Sequence, residues 1–90
     1  SLEGLTISLA SELAPNIRVN CIAPSLSNSK MASKMLKNEK ISEAIAKQHP
    51  LKRLGEGYDS AALAKFLLSE NSSWITGQII GVDGGRSNVG

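Results

Sequence analysis

The residues with chemistry to offer gather behind a proline. Pro24 closes the apolar run Ile17-Arg18-Val19-Asn20-Cys21-Ile22-Ala23 and is followed by the polar stretch Ser25-Leu26-Ser27-Asn28-Ser29. A serine hydroxyl both donates and accepts a hydrogen bond, so such a loop suits the binding of a polar group. Nucleophilic chemistry has less to work with. Cys21 is the only cysteine and lies inside the apolar run, where a thiol behaves as a small hydrophobe, and His49 is the only histidine to activate it.

The elements that must position this loop follow from periodicity. The β-branched run Ile17 to Ala23 reads as a short buried strand that Pro24 ends. In an open parallel sheet, ligands bind outside the carboxyl ends of the strands, so Pro24 to Ser29 is the expected site. Before it, Leu2, Leu5, Leu9 and Leu13 mark one face of a helix while Ile7, Ala10 and Ala14 mark another, and Pro15 stops it. Between those faces Gly4, Ser8 and Ser11 form a small-residue stripe suited to a close helix contact.

After the loop, a helix from about Lys30 to Lys37 carries Met31 and Met35 and is interrupted at Asn38. A second, defined by Ile41, Ala44 and Ile45, ends at His49-Pro50. The next helix starts at Asp59 or Ser60 and turns Ala62, Leu63, Phe66 and Leu67 inward. Gln78 to Asp83 is a second strand, closed by Gly84-Gly85. Two strands separated by helices imply a parallel pair joined by a crossover. That is the α/β pattern of the end of a larger doubly wound domain, because parallel strands need further neighbours to bury both faces.

Composition excludes several classes. The chain has 90 residues, 41% hydrophobic and 20% charged, with a formal net charge of +2, which is an ordinary globular balance rather than a disordered one. Lys30, Lys34, Lys37 and Lys40 cluster, but Glu39 and Glu43 interrupt them and Tyr58, Phe66 and Trp74 are not interleaved, so no nucleic-acid partner is expected. No apolar run approaches the ~20 residues of a membrane span. The Ser1-Leu2-Glu3-Gly4 start does not resemble a signal peptide, and a single cysteine suits a reducing compartment, so the expected location is cytoplasmic.

Several motifs agree in order and spacing. Leu2-Glu3-Gly4-Leu5-Thr6, Leu13-Ala14-Pro15-Asn16-Ile17-Arg18-Val19-Asn20, Ile22-Ala23-Pro24, Arg53-Leu54-Gly55-Glu56, Ile75-Thr76-Gly77-Gln78 and Val82-Asp83-Gly84-Gly85 together resemble the C-terminal part of a classical short-chain dehydrogenase/reductase. The resemblance implies that residues 1–90 are part of an NAD(P)-binding Rossmann-type domain, with Ile17 to Ala23 and Gln78 to Asp83 as its last two strands and residues 30–49 as a substrate-side helical lid. It also implies NAD or NADP as cofactor, a small-molecule carbonyl or alcohol as substrate, and a homodimer or homotetramer.

By the same resemblance the cofactor-binding residues here are Pro24, Ser25, Ser27 and Ser29, around the nicotinamide end. Ser25 departs from the usual glycine and Gly57 from the usual proline. No catalytic residue is implied within the chain. The family's tyrosine and lysine would precede Ser1, and Tyr58 has no lysine four residues later. The chain alone is therefore expected to be inactive, its partner being the upstream part of the domain that also carries the dinucleotide fingerprint. The alternative is a non-enzymatic truncated product or assembly module packing through Leu2 to Ala14 and the second strand.

Overall fold

The computed structural model describes residues 1–25 and 38–89. Helix α1 spans Leu2–Leu13, begun by the Ser1 hydroxyl, which accepts the Gly4 N–H at 3.1 Å. Only Thr6 and Ala10 of this helix are buried, whereas Leu2, Leu5 and Ile7 are exposed. The side that meets the rest of the chain straddles the two apolar faces expected from the sequence, with Thr6 and Ala10 buried and Leu9 and Leu13 half-buried while Ile7 and Ala14 are exposed. Its small side chains let α1 approach closely: a Cβ on Gly77, whose φ is 71°, would lie 3.5 Å from that of Ala10.

Two strands form one parallel sheet, β1 (Cys21–Pro24) and β2 (Ile79–Val82), with Cys21 opposite Ile79 and Pro24 opposite Val82. The expected parallel pairing is present, but the ladder starts four residues later than the apolar run. Residues 17–20 instead join the second strand's approach through one backbone bond, from Gly77 N–H to the Val19 carbonyl at 2.8 Å, and through side chains. Asn20 donates to the Ile75 carbonyl at 3.1 Å and accepts the Gln78 N–H at 3.1 Å, and Val19 N–H donates to the Thr76 hydroxyl. Arg18 donates to the carbonyls of Leu67 and Ile75 at 2.8 and 3.1 Å and to that of Ser69 at 3.2 Å.

Pro24 ends the strand as expected, being the last residue of β1. The N–H groups of Cys21 and Ser25 donate to Gln78 and Val82 carbonyls, so the donors facing β2 come from alternate residues and Pro24 falls between them. Its missing N–H costs this ladder nothing.

Helix α2 spans Glu39–Lys47. Asn38, expected only as an interruption, is its cap, with the side-chain oxygen accepting the N–H groups of Lys40 and Ile41. Helix α3 spans Gly57–Leu67 and packs against β1, and a 3₁₀ turn, Glu70–Ser72, leads toward β2. Among the described residues the buried apolar side chains are Ala10, Cys21, Leu54 and Leu67, joined by Thr6, His49 and Ser72.

The start of α3 corrects the expectation of Asp59 or Ser60. The helix begins two residues earlier because Asp59 acts from inside its first turn, reaching back to accept the Glu56 N–H at 2.7 Å while Arg53 grips both carboxylate oxygens at 2.9 and 3.0 Å. The Arg53 hydrogen bond, then that from Glu56, lowers the Asp59 pKa from 3.8 to about 2. A carboxylate depressed in the folded state stabilises the fold above its unfolded pKa and loses that contribution as pH falls through the folded one. Stability should therefore drop between about pH 4 and about pH 2 more steeply in the wild type than in Asp59→Asn, as read from urea midpoints across that window.

Gly57 occupies the first helical position, nothing lies within 4 Å of where its Cβ would stand, and Glu56 before it is extended at φ −110°, ψ 157°. That geometry suits proline at the first turn and an extended residue ahead of it. Gly57→Pro is expected to raise unfolding stability by about 0.4–1 kcal/mol through a less disordered unfolded chain. A lower urea midpoint in the variant would refute this.

Candidate functional site

The two strands end side by side, and the segments leaving them build the site. Past β2, Asp83 folds the chain back on itself, accepting the N–H groups of Gly85 at 3.0 Å and Ser87 at 3.2 Å and the Ser87 hydroxyl. The Ser87 hydroxyl bond is the main reason the Asp83 pKa lies below its ordinary value. Gly84 and Gly85 follow with φ of 62° and 88°. At Gly85 a Cβ would come within 3.3 Å of the Pro50 ring, so glycine serves both the backbone angle and the close approach. Leu51 N–H donates to the Gly84 carbonyl at 3.1 Å, fastening the segment after α2 to the end of β2.

Past β1, Ser25 stands between two hollows. One, of about 390 Å³, is lined by Ala23, Pro24, Ser25, Asp83, Arg86 and Ser87. The other, of about 420 Å³, lies toward His49, Arg53, Asp59 and Gly84. Pro24 is exposed and Ser25 half-buried. Ser25 N–H is held by the Val82 carbonyl at 3.2 Å, and its hydroxyl lies 2.9 Å from His49 Nε2.

His49 is 1% exposed, and its Nδ1 lies 2.8 Å from the Ile45 carbonyl. A carbonyl only accepts, so Nδ1 carries the proton, and in the neutral ring Nε2 accepts from the Ser25 hydroxyl.

Of the residues singled out in the sequence, Pro24 and Ser25 are thus brought to the carboxyl end of the sheet, while Ser27 and Ser29 lie outside the described residues, as does the expected helix from Lys30 to Lys37. Ser25 does not adopt positive φ, which among the described non-glycine residues occurs only at Lys52. Cys21 is buried at the start of β1, with its thiol 3.9 Å from the Ile22 carbonyl, consistent with a small hydrophobe. Tyr58 is 67% exposed in the first turn of α3. Among the described residues no group of three His, Cys, Asp or Glu side chains is placed to hold a metal ion, and no helix is long and apolar enough to cross a membrane.

Sequence reasoning weighed His49 only as a partner for Cys21 and as a helix end, and missed its place beside Ser25. The available signal was its place at a helix end immediately before Pro50, where a ring nitrogen reaches the carbonyl four residues back. Nothing local pointed to a partner 24 residues earlier.

The sequence model of the family described as enoyl-(acyl carrier protein) reductase matches residues 1–87. Tropinone reductase-like 3 of Erythroxylum coca is 42% identical over 85 residues, covering 94% of this chain and 33% of the relative. Among solved structures, YwfH, described as an NADPH dependent reductase involved in bacilysin biosynthesis, superposes with a TM-score of 0.81 at 42% identity, covering 94% of this chain and 36% of that one. LugOII, described as a promiscuous reductase that catalyses keto-reduction at C1 during lugdunomycin biosynthesis, gives a TM-score of 0.86 at 35% identity, covering 94% and 33%. The chain spans about a third of the length of the proteins it matches.

Proposed function

Since the chain belongs to the short-chain dehydrogenase/reductase family, we propose that the complete polypeptide carrying it is an NAD(P)-dependent oxidoreductase that moves hydride to or from a carbonyl or secondary-alcohol substrate. Residues 1–90 supply the carboxyl-terminal end of its Rossmann-type sheet. The cofactor, when bound, supplies the hydride, and the protein supplies orientation and electrostatics. The observation that carries the proposal is the parallel pair whose strands end together at Pro24 and Val82, beside the crevice of about 390 Å³.

The residues present fit the nicotinamide end of such a cofactor. Pro24 offers an exposed apolar ring with no N–H of its own, and both donors of Ser25 are engaged within the chain. Pro24 and Ser25 would border the ring, leaving hydrogen bonds to its carboxamide or phosphate to the segment that follows, with Ser27 through its backbone and Ser29 through its hydroxyl. Residues 39–49 would form the described part of the substrate-side lid. The exposed Leu2 and Leu5 on one side of α1 and Ile7 on another would meet the upstream part of the domain or another copy in a dimer or tetramer. A cytoplasmic, reducing location accords with a lone buried Cys21.

The test is cofactor titration of the complete polypeptide. Binding of NADH or NADPH is expected in the wild type, and loss of the single hydroxyl hydrogen bond in Ser29→Ala should weaken it by less than roughly tenfold while turnover persists. Unchanged affinity in that variant would remove Ser29 from the site. No binding by the wild type would remove the function.

A further inference from the structure

Three chain segments converge on the buried ring of His49. Its Nε2 faces the Ser25 hydroxyl at 2.9 Å, just past β1. Its Nδ1 faces the Ile45 carbonyl at 2.8 Å, in the last turns of α2. Its Cβ and Cδ2 lie beside Gly84, just past β2, where a Cβ would stand in ordinary van der Waals contact at 3.6 and 3.8 Å. With 1% of the residue exposed, water does not replace either partner.

The convergence matters because the sheet itself does not position α2. The end of β1 is held to β2 by the ladder, and the segment after α2 is held to the end of β2 by Leu51 and by Arg86, which donates to the Gln48 side chain at 3.3 Å. Among the described residues, the one hydrogen bond joining residues 38–50 to the end of β1 is that between Ser25 and His49. Ser25 is also doubly anchored, by its N–H on Val82 and its hydroxyl on His49.

We infer that His49 is a positioning residue, and that the Ser25–His49 hydrogen bond latches the end of β1 to the carboxyl end of α2, so that cofactor binding beside Pro24 and Ser25 and placement of the α2 segment are coupled. The cofactor half of this inference rests on the proposed function; the latch itself rests on the geometry alone. His49 acts through Ser25 and does not touch the reacting atoms.

The experiment uses the complete polypeptide with NADH and NADPH as probes, titrated by fluorescence without substrate, and backbone amide hydrogen exchange in the cofactor-free state. The variants are Ser25→Ala, His49→Asn, His49→Gln and the double variant S25A/H49N. Asparagine replaces only the Nδ1 side of the ring, whereas glutamine reaches the Nε2 position and should restore the partner of Ser25.

Ser25→Ala and His49→Asn are each expected to weaken dinucleotide binding by about two- to tenfold, the worth of one hydrogen bond. The double variant should be no weaker than the worse single variant, because both remove the same interaction. His49→Gln should recover to within about twofold of wild type. In the cofactor-free protein, Ser25→Ala should speed exchange at the Ser25 position and at residues 46–49 together.

Wild-type binding left unchanged by Ser25→Ala, additive effects in the double variant, or no recovery by His49→Gln would overturn the coupling. Unchanged exchange at residues 46–49 would overturn the latch. Failure of the wild type to bind either dinucleotide would instead overturn the proposed function and the cofactor half with it, with the exchange measurement still deciding the latch.

Discussion

Carbonyl reduction is expected to be absent from a polypeptide consisting of residues 1–90 and present in one that also carries the upstream part of the fold. The reaction needs an acid to protonate the substrate oxygen as hydride arrives, and a positioned acid contributes typically about 10²- to 10⁴-fold in rate. The only tyrosine here is Tyr58, 67% exposed in the first turn of α3 with alanine four residues on, so no lysine neighbours it along the helix to favour proton transfer. His49 is occupied on both nitrogens and buried away from solvent.

The scaffold is also incomplete by itself. Among the described residues the two-stranded parallel sheet has an unpaired edge on each side, and the buried apolar side chains are Ala10, Cys21, Leu54 and Leu67. NAD(P)H oxidation in the presence of a panel of ketones should fall by at least about a hundredfold between the complete polypeptide and residues 1–90. Authentic turnover by residues 1–90, proportional to their concentration and absent from a purified blank, would reject the claim that the acid lies elsewhere.

The architecture was legible because it rests on signals that act locally. Apolar spacing marked α1, and β-branched runs marked the region of both strands. Pairing direction followed from the helical residues between them. What escaped the sequence were contacts made by polar side chains over long separations. Residues 17–20 look like strand, yet Arg18 and Asn20 turn their side chains to carbonyls 49 to 57 residues away, and the ladder begins only at Cys21.

The start of α3 escaped for a related reason. Asp59 has the composition of a cap, but its carboxylate works backward on Glu56 and sideways on Arg53 from within the helix. At the site, position and chemistry separated in the same way. That Pro24 and Ser25 stand at the carboxyl end of a strand could be argued from pattern and fold. That the Ser25 hydroxyl is engaged by His49 depends on where the end of α2 settles, which no short-range spacing encodes.

Arg18→Met is expected to destabilise the complete polypeptide by about 2–3 kcal/mol, the scale of losing charge-assisted hydrogen bonds at a partly buried site. Leu67 is the last residue of α3, so its carbonyl is one of those a helix end leaves without an intrahelical partner. Arg18 donates to it at 2.8 Å and also to Ser69, placing a cation where the helix dipole favours one. The other arm of the guanidinium reaches Ile75, on the approach to β2. One planar group thus joins the run-in of β1, the end of α3 and the approach to β2. Methionine retains much of the aliphatic contact and none of the donors. Arg18→Lys offers a compact ammonium that does not reproduce the fork spanning Leu67 and Ile75, and should recover only part of the loss. Urea unfolding of the three proteins, compared at equal slope, measures the difference. An Arg18→Met midpoint equivalent to within about 0.5 kcal/mol of wild type would mean that these carbonyls are served equally well by water and that the clamp does not hold the strand pair in place.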